Sequence, residues 1–343
     1  MTTRTAVVLF NLGGPDSSAA VEPFLFNLFH DRAILDLPQP LRYAAAKWIA
    51  RRRAPFARQI YAQIGNASPI KANTEAQARA LRASLGEGYR VFYAMRHWHP
   101  RAIVVSAEVK AWKPNEVVLL PLYPQFSGTT TGSSLADWRD AATRVSLTAP
   151  VREVCCYPQA PGFIAALARL IATEIERAPQ GRKLRVLLSA HGLPKRVIER
   201  GDPYQWQIEA TAAALRAALK RPDIETLVCY QSRVGPLEWI GPSTEEEIAR
   251  AGAERIGLVV APIAFVSEHS ETLVELDIDY RVRAKKAGVP FYLRAPTVST
   301  APEFIAELAA QVRSAPGQGA GNRRCPAGFR GCALEPVGVE PGA

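Results

Sequence analysis

"RIGLVVAPIAFVSEHSETLVELDIDY" occupies residues 255–280. Its first half is apolar almost without interruption. A short run of that kind reads as a strand covered on both faces, the habit of parallel sheets. Its second half follows with no spacer and is crowded with acids: Glu268, Glu271, Glu275, Asp277 and Asp279, with His269 among them. A buried strand that runs straight into a helix is half of an α/β unit. In such units ligands collect beyond the carboxyl ends of the strands, and this sequence places its acids there.

Glu271, Glu275 and Asp279 recur every four residues. On an α-helix each such step drifts by roughly 40°, so the three carboxylates share one face. Leu273, Leu276 and Ile278 supply apolar contacts elsewhere. A ladder of carboxylates suits a hard divalent cation in transit. The plain alternative is a solvated acidic face, but the strand ahead of the ladder sets Glu271 at a strand's carboxyl end.

Working outward, residues 5–12, 89–95, 116–123, 184–190, 225–232 and 289–294 also read as strands. Between them lie helical patterns at 73–86, 162–178 and 204–219, the first opened by Asn73 as a cap and closed by Gly86. The alternation implies right-handed crossovers and a parallel sheet. An internal echo divides the chain. "VVLLPLYPQFSGTTTGSSL" and "GLVVAPIAFVSEHSETL" share a layout, as do "VVLFNLGGP" and "VLLSAHGLP". The expected fold is therefore α/β, with two Rossmann-like lobes, parallel sheets flanked by helices, and an active-site cleft between the lobes. The boundaries read as 1–150, joined by a helix near 300–315, then 151–299. The Gly/Pro-rich stretch 316–343 reads as a mostly disordered tail.

The chain has 343 residues, is 48% hydrophobic and carries a formal net charge of +10. It can bury a core, and its basic excess suits an anionic lipid or an acidic small molecule. No nucleic-acid motif accompanies the charge, so no nucleic-acid partner is expected. Neither a signal peptide nor an apolar membrane span is evident. A cytoplasmic location follows as the expectation, with peripheral contact on the inner face of the plasma membrane. Five cysteines do not suggest a disulfide framework.

Other segments carry chemistry. "SAHGLPKRVIERGDPY" sets His191 directly after a buried strand, where a histidine is suited to accept a proton near neutral pH. "LPLYPQFSGTTTGSSL" is a turn rich in hydroxyls and glycine that offers donors to an anion, but it is not a Walker loop. "NLGGP" fails the G-x-G-x-x-G spacing. These failures count against nucleotide hydrolysis and dinucleotide redox chemistry. "LRYAAAKWIARRRAPFARQIY" (41–61) mixes Leu41, Tyr43, Trp48, Ile49 and Phe56 with six Arg and Lys residues. It reads as an ordinary amphipathic helix or as a surface for anionic lipid.

Taken together, "LFNLGGPDS", "GNASPI", "LPLYPQFSGTTTGSSL", "SAHGLPKRVIERGDPY", "YQSRVGPLEWIGPST" and "SEHSETLVELDIDY" resemble the ferrochelatases, in family order, across most of residues 5–310. The resemblance implies insertion of ferrous iron into protoporphyrin IX to give protohaem, the last step of haem biosynthesis. It makes the chain a lyase with a porphyrin and Fe2+ as substrates, monomeric or homodimeric. Coproporphyrin or another tetrapyrrole is the alternative substrate. A non-catalytic porphyrin-binding protein would be marked by loss of His191 or Glu271, and both are present.

The resemblance also assigns residues. The catalytic pair falls on His191 and Glu271, facing each other across the pocket from strand ends of opposing lobes. The metal line adds Glu275 and Asp279 along a π-type helix. Porphyrin contacts fall on Leu12, Arg96, His97, Tyr123, Ser127 and Tyr230. Animal members have tryptophan at Tyr230, tyrosine at His97 and a basic pair at Ala62 and Gln63. Some members hold a [2Fe–2S] cluster, which implies Cys156, Cys325 and Cys332 as ligands with one more group. Gly128 stands at the internal cysteine position of animal members. Of the neighbours Cys155 and Cys156, read as strand residues on opposite faces, only one is well placed. Cys229 reads as a buried strand residue.

Overall fold

β1 (Thr5–Asn11) is buried at every position, and a strand so enclosed is the centre of a sheet, not its edge. The structure, a computed structural model, describes residues 4–233, 235, 237–317 and 325–330. The chain folds into two compact units. One runs to Cys156 and takes up the chain again from Leu308, and the other is Tyr157–Glu307.

The first unit contains β1, α1 (Val21–Phe29), α2 (Gln39–Ala62), α3 (Ile70–Leu85), β2 (Tyr89–Met95), α4 (Ala102–Trp112), β3 (Glu116–Pro121), α5 (Ser133–Arg144) and β4 (Val151–Glu153). Its sheet is parallel throughout, in the order β2-β1-β3-β4. β1 lies in register with both neighbours, Val7 opposite Val91 and Val118. A π-helix, Gly128–Gly132, precedes α5.

The second unit contains α6 (Pro161–Glu176), β5 (Leu184–His191), α7 (Lys195–Glu199), α8 (Tyr204–Leu219), β6 (Glu225–Gln231), α9 (Thr244–Ala253), β7 (Gly257–Pro262), α10 (Tyr280–Ala287) and β8 (Tyr292–Arg294). α11 (Pro302–Ser314) begins in this unit and ends in the first. Its sheet is also parallel, in the order β6-β5-β7-β8. The two units thus repeat one strand order, which is the structural form of the echo in the sequence.

Local chemistry explains several boundaries. α9 starts at a capping box: the Ser243 hydroxyl accepts the Glu246 N–H at 3.1 Å, and the Glu246 carboxylate accepts the Ser243 N–H at 2.6 Å. α3 ends at Gly86, whose φ of +85° suits glycine. Its start differs from the expectation. The helix begins at Ile70 after Pro69, so Asn73 lies inside it and is not the cap. β4 is a strand the sequence reading missed, three residues long and only partly apolar.

The segment after β7 is a π-helix, Glu271–Asp279. Its bonds run i→i+5, so residues four apart sit closer to alignment than on an α-helix. Leu276 is fully buried in a cluster with Leu187, Ile248, Val260 and Tyr280, which fixes one face against the sheet and turns the acids away from it.

Candidate active site

In the order β6-β5-β7-β8, the connection leaving β5 goes to one side, and the one leaving β6 crosses to the other. The carboxyl ends of β5 and β7 therefore flank a topological switch point, where open α/β sheets bind ligands. His191 is the last residue of β5, and the π-helix follows β7. His191 Nδ1 lies 2.9 Å from Glu271 Oε2, with side chains 36% and 28% exposed. The pair was expected on opposing lobes. Both residues belong to the second unit: His191 ends β5, and Glu271 opens the π-helix that follows β7, the neighbour of β5 in one sheet.

Polar groups surround the pair. Ser232, one residue beyond β6, has a φ of +61°, a conformation costly for a residue with a Cβ. That geometry turns its N–H to Glu275 Oε1 at 2.9 Å, while its hydroxyl reaches Glu275 Oε2 at 2.5 Å and Glu271 Oε2 at 3.2 Å. The Gln231 amide donates to Glu275 Oε2 at 3.2 Å, and its carbonyl oxygen accepts from the Ser189 hydroxyl at 2.8 Å. The Tyr280 hydroxyl donates to Glu275 Oε1 at 2.9 Å. His269 directs Nδ1 to the Ser267 carbonyl at 3.1 Å, so that nitrogen carries the proton. Its Nε2 then faces Glu271 Oε2 at 4.0 Å with a lone pair when the ring is neutral.

The electrostatics separate the groups. Burial lowers the pKa of His191, but the charge of Glu271, its hydrogen bond and the charge of Glu275 together raise it above the ordinary 6.5. Burial raises Glu271, and the attraction and hydrogen bond of His191 outweigh that, bringing it down to about 2. Burial and then repulsion from Glu271 push Glu275 up from its ordinary value. Two carboxylates on one helix with opposite shifts are suited to different proton tasks. Asp279 is exposed, Glu275 and Glu271 are half-buried, and their four-residue spacing sets the three toward one side of the π-helix. Among the described residues no group of three or more His, Cys, Asp or Glu side chains is arranged to hold a metal ion.

The remaining predicted residues lie mostly at the carboxyl ends of strands in the first unit. Leu12 follows β1, is half-buried and receives the His97 N–H on its carbonyl at 2.9 Å. Arg96 is held by Asp31 at 3.0 Å and by the Ser133 hydroxyl at 2.6 Å. Tyr123 is half-buried, its hydroxyl 3.5 Å from that of Ser134. Three of the predicted contacts offer little or no surface to a ligand. His97 is fully enclosed, and burial followed by the nearby Arg96 charge lowers its pKa to about 3, so it is neutral. Ser127 caps the first π-helix by accepting the Thr129 N–H at 3.1 Å. Tyr230 is buried in the second unit, on the face of β6 opposite Gln231.

The family model named Ferrochelatase matches residues 4–315. The chain belongs to the ferrochelatase family. It is 52% identical to the ferrochelatase of Caulobacter vibrioides over 335 residues, covering 96% of this chain and 95% of that one. It is 53% identical to the ferrochelatase of Phenylobacterium zucineum over 311 residues, covering 89% and 90%. Among solved structures, SirB from Bacillus subtilis with Fe3+ matches at a TM-score of 0.55 and 10% identity, covering 91% of this chain and 95% of that one, and shows a shared fold. As a ferrochelatase the chain is a lyase that inserts ferrous iron into a porphyrin at the last step of haem biosynthesis.

Several residues around the pair were not singled out from sequence: Ser232, Gln231, Tyr280 and the role of His269. Ser232 and Gln231 had a signal. Each ends or follows an apolar strand, as His191 does. The cysteine expectation changes too. β4 ends at Glu153, so strand alternation does not govern Cys155 and Cys156, and both pack in one apolar cluster with Phe126. Cys325 is buried, and Cys332 lies outside the described residues, as do 318–324 and 331–343 of the Gly/Pro-rich tail. Among the described residues no helix is long and apolar enough to cross a membrane.

Proposed function

We propose that the chemistry occurs at the His191–Glu271 pair of the second unit and that protoporphyrin IX is the porphyrin. The observation that carries this reading is the 2.9 Å contact of the pair at the sheet's switch point, with an acidic line beginning at Glu271. Insertion of a divalent metal releases both pyrrole N–H protons, and the metal takes their place among the four nitrogens. His191 accepts one departing proton, with Glu271 held ionised beside it to stabilise the imidazolium, and Glu275, whose raised pKa suits proton uptake, takes the other, linked to the pair through the Ser232 hydroxyl. Asp279 and Glu275 offer oxygen ligands to the incoming Fe2+. A bent macrocycle exposes its nitrogen lone pairs, and the strain is drawn from binding energy. Leu12, Arg96 and Tyr123 retain accessible surface at strand ends of the first unit.

α2 supports the choice of a weakly charged porphyrin. It exposes Leu41 at 61%, Trp48 at 64% and Phe56 at 63%, among Lys47, Arg51, Arg52 and Arg53. Arg52 stacks 5.7 Å over Trp48 and Lys47 5.9 Å over Tyr43. Aromatic residues beside cations suit a membrane interface with anionic headgroups, from which an apolar porphyrin is drawn. A peripheral membrane habit belongs to the same reading.

The resemblance brings a [2Fe–2S] cluster with it, and the chain carries four thiols for one, although the three described ones are not gathered as a metal site. Cys155, Cys156 and Cys325 are buried thiols of the first unit, and with Cys332 they make the four that such a cluster takes. The cluster would supply no step of metal insertion. The test of the main reading is zinc insertion followed by zinc-porphyrin fluorescence. Protoporphyrin IX is expected to be turned over in preference to coproporphyrin. Faster turnover of coproporphyrin would overturn the substrate assignment.

A further inference from the structure

We propose that Arg294 is a positioning residue for metal insertion, tying the chain just ahead of the π-helix that carries Glu271 and Glu275 to a point near that helix's end. The proposal rests on that helix being the site of chemistry. π-Helical bonds seldom run beyond a single turn inside an α-helix, and this segment spans nine residues, Glu271–Asp279. Its winding therefore needs support from outside the helix.

Arg294 supplies it from the end of β8. Nη1 lies 2.8 Å from Glu268 Oε1, and Nη2 lies 2.5 Å from Asp277 Oδ2. Glu268 stands three residues before Glu271, and Asp277 two residues after Glu275. One planar guanidinium thus ties together two points that bracket both carboxylates of the site. The arginine side chain is only 9% exposed, so water competes little for its donors. Burial opposes its charge, and the bonds and charges of Asp277 and Glu268 outweigh that and push its pKa further up.

The rest of β8 and the chain after it act as a splint along the same helix. The Tyr292 hydroxyl donates to the Leu276 carbonyl at 2.7 Å, and Arg281 returns a bond to the Tyr292 carbonyl at 2.8 Å. The Thr297 N–H donates to Glu268 Oε1 at 2.9 Å, and the Ser299 N–H to the Val266 carbonyl at 3.0 Å. The five acids of this segment thus divide by task. Glu271, Glu275 and Asp279 form the line that begins beside His191, whereas Glu268 and Asp277 hold the helix that presents it.

The test is steady-state insertion of Fe2+ and Zn2+ by Arg294→Gln, Arg294→Lys and Asp277→Asn, each first checked for native circular dichroism. Asp277→Asn removes only one arm of the clamp and covers the case in which Arg294→Gln does not fold. The metal KM is expected to rise about tenfold, the effect of losing a group that orients a ligand, while the porphyrin KM stays at its wild-type value. Lysine, which keeps the charge but not the fork, is expected to recover part of the loss. A lower kcat with both KM values unchanged, or no change at all, would overturn the proposal. Glu271→Gln run alongside separates the two readings. If it also inserts metal normally, the assignment of the site has failed, and not merely the clamp.

Discussion

His191 and Glu271 are 80 residues apart in sequence and 2.9 Å apart in space. The contact exists because β5 and β7 are adjacent, although β6 lies between them in the chain. β5 ends at His191, the π-helix after β7 brings Glu271, and β6 adds Ser232 and Gln231 to hold the second carboxylate, Glu275. Three neighbouring strands thus direct their carboxyl ends to one hydrogen-bonded cluster.

His191→Ala and Glu271→Gln are each expected to lower metal insertion by well over tenfold while leaving the fold and porphyrin binding intact. Both side chains are partly exposed, so neither change opens a core cavity. Zinc-porphyrin fluorescence and porphyrin quenching titrations check the two halves of this statement. A loss within about tenfold, a barrier change near 1.4 kcal/mol, would be too small for a catalytic pair.

Insertion is expected to rise with pH through an apparent pKa above 6.5, because protonated His191 accepts nothing and its pKa is raised. Glu275→Gln removes one of the charges that raise it, so the limb should move to lower pH. The same pair shapes stability. The raised His191 contributes fully below 6.5 and loses its contribution as pH rises through the folded-state pKa, whereas the depressed Glu271 contributes above 4.5 and loses it as pH falls toward about 2. Stabilisation from the pair is therefore greatest between those two ordinary values. Rate–pH profiles of the wild type and the variant decide the point, and a limb that stays fixed would remove Glu275 from the titrating set.

The fold was legible where burial is two-sided. β1, β3, β5 and β7 are apolar enough to be read directly, whereas β4, with Arg152 and Glu153 in its three residues, carries no such pattern. His191 and Glu271 were legible as polar residues at strand ends. Their membership of one unit was not, because strand order is a tertiary property. The division of the acids into a line and a clamp depends on Arg294, which lies 15 residues beyond Asp279 and gives no sign of its role in sequence. His97 and Tyr230 were assigned from resemblance alone, and their side chains lie in the interior.

Gly252→Ala is expected to destabilise the second unit. A Cβ at this position would stand 2.1 Å from the Ala287 carbonyl oxygen and 2.9 Å from the Ala287 Cβ, so α9 and α10 would have to separate. Backbone of a packed helix yields little, and overpacking of this kind costs about 1–3 kcal/mol. Alanine's better helix propensity, worth about 1 kcal/mol, offsets part of this. The urea midpoint should fall with the slope unchanged. An equal or higher midpoint would mean that the two helices part freely.

Replacing Arg51, Arg52 and Arg53 with Glu is expected to release the protein from anionic vesicles. Each basic residue at such a surface contributes about 1 kcal/mol, and reversal adds repulsion. Trp48→Ala should weaken binding to anionic vesicles with less dependence on salt, since its contribution is apolar. Co-sedimentation with phosphatidylserine vesicles at two salt concentrations reads both effects. Binding unchanged in the triple variant would leave α2 an ordinary surface helix.

The cysteines give the last expectation. Cys155 and Cys156 leave β4 together and enter one apolar cluster with Phe126, so both thiols are held on the first unit. Cys325 is 8% exposed in a Gly/Pro-rich stretch that has little apolar surface of its own to bury it. The proposed cluster would draw on these thiols together with Cys332. Cys229 is not a candidate. It is enclosed in β6 beneath the Thr244 hydroxyl, 3.2 Å away, and burial pushes its thiol up to about 12, so it resists the deprotonation that iron ligation requires. Protein purified without oxygen is therefore expected to be red-brown and to contain acid-labile sulfide. Cys156→Ser and Cys325→Ser should lose the visible absorption, while Cys229→Ser keeps it. Colourless wild-type protein without bound sulfide would end the assignment.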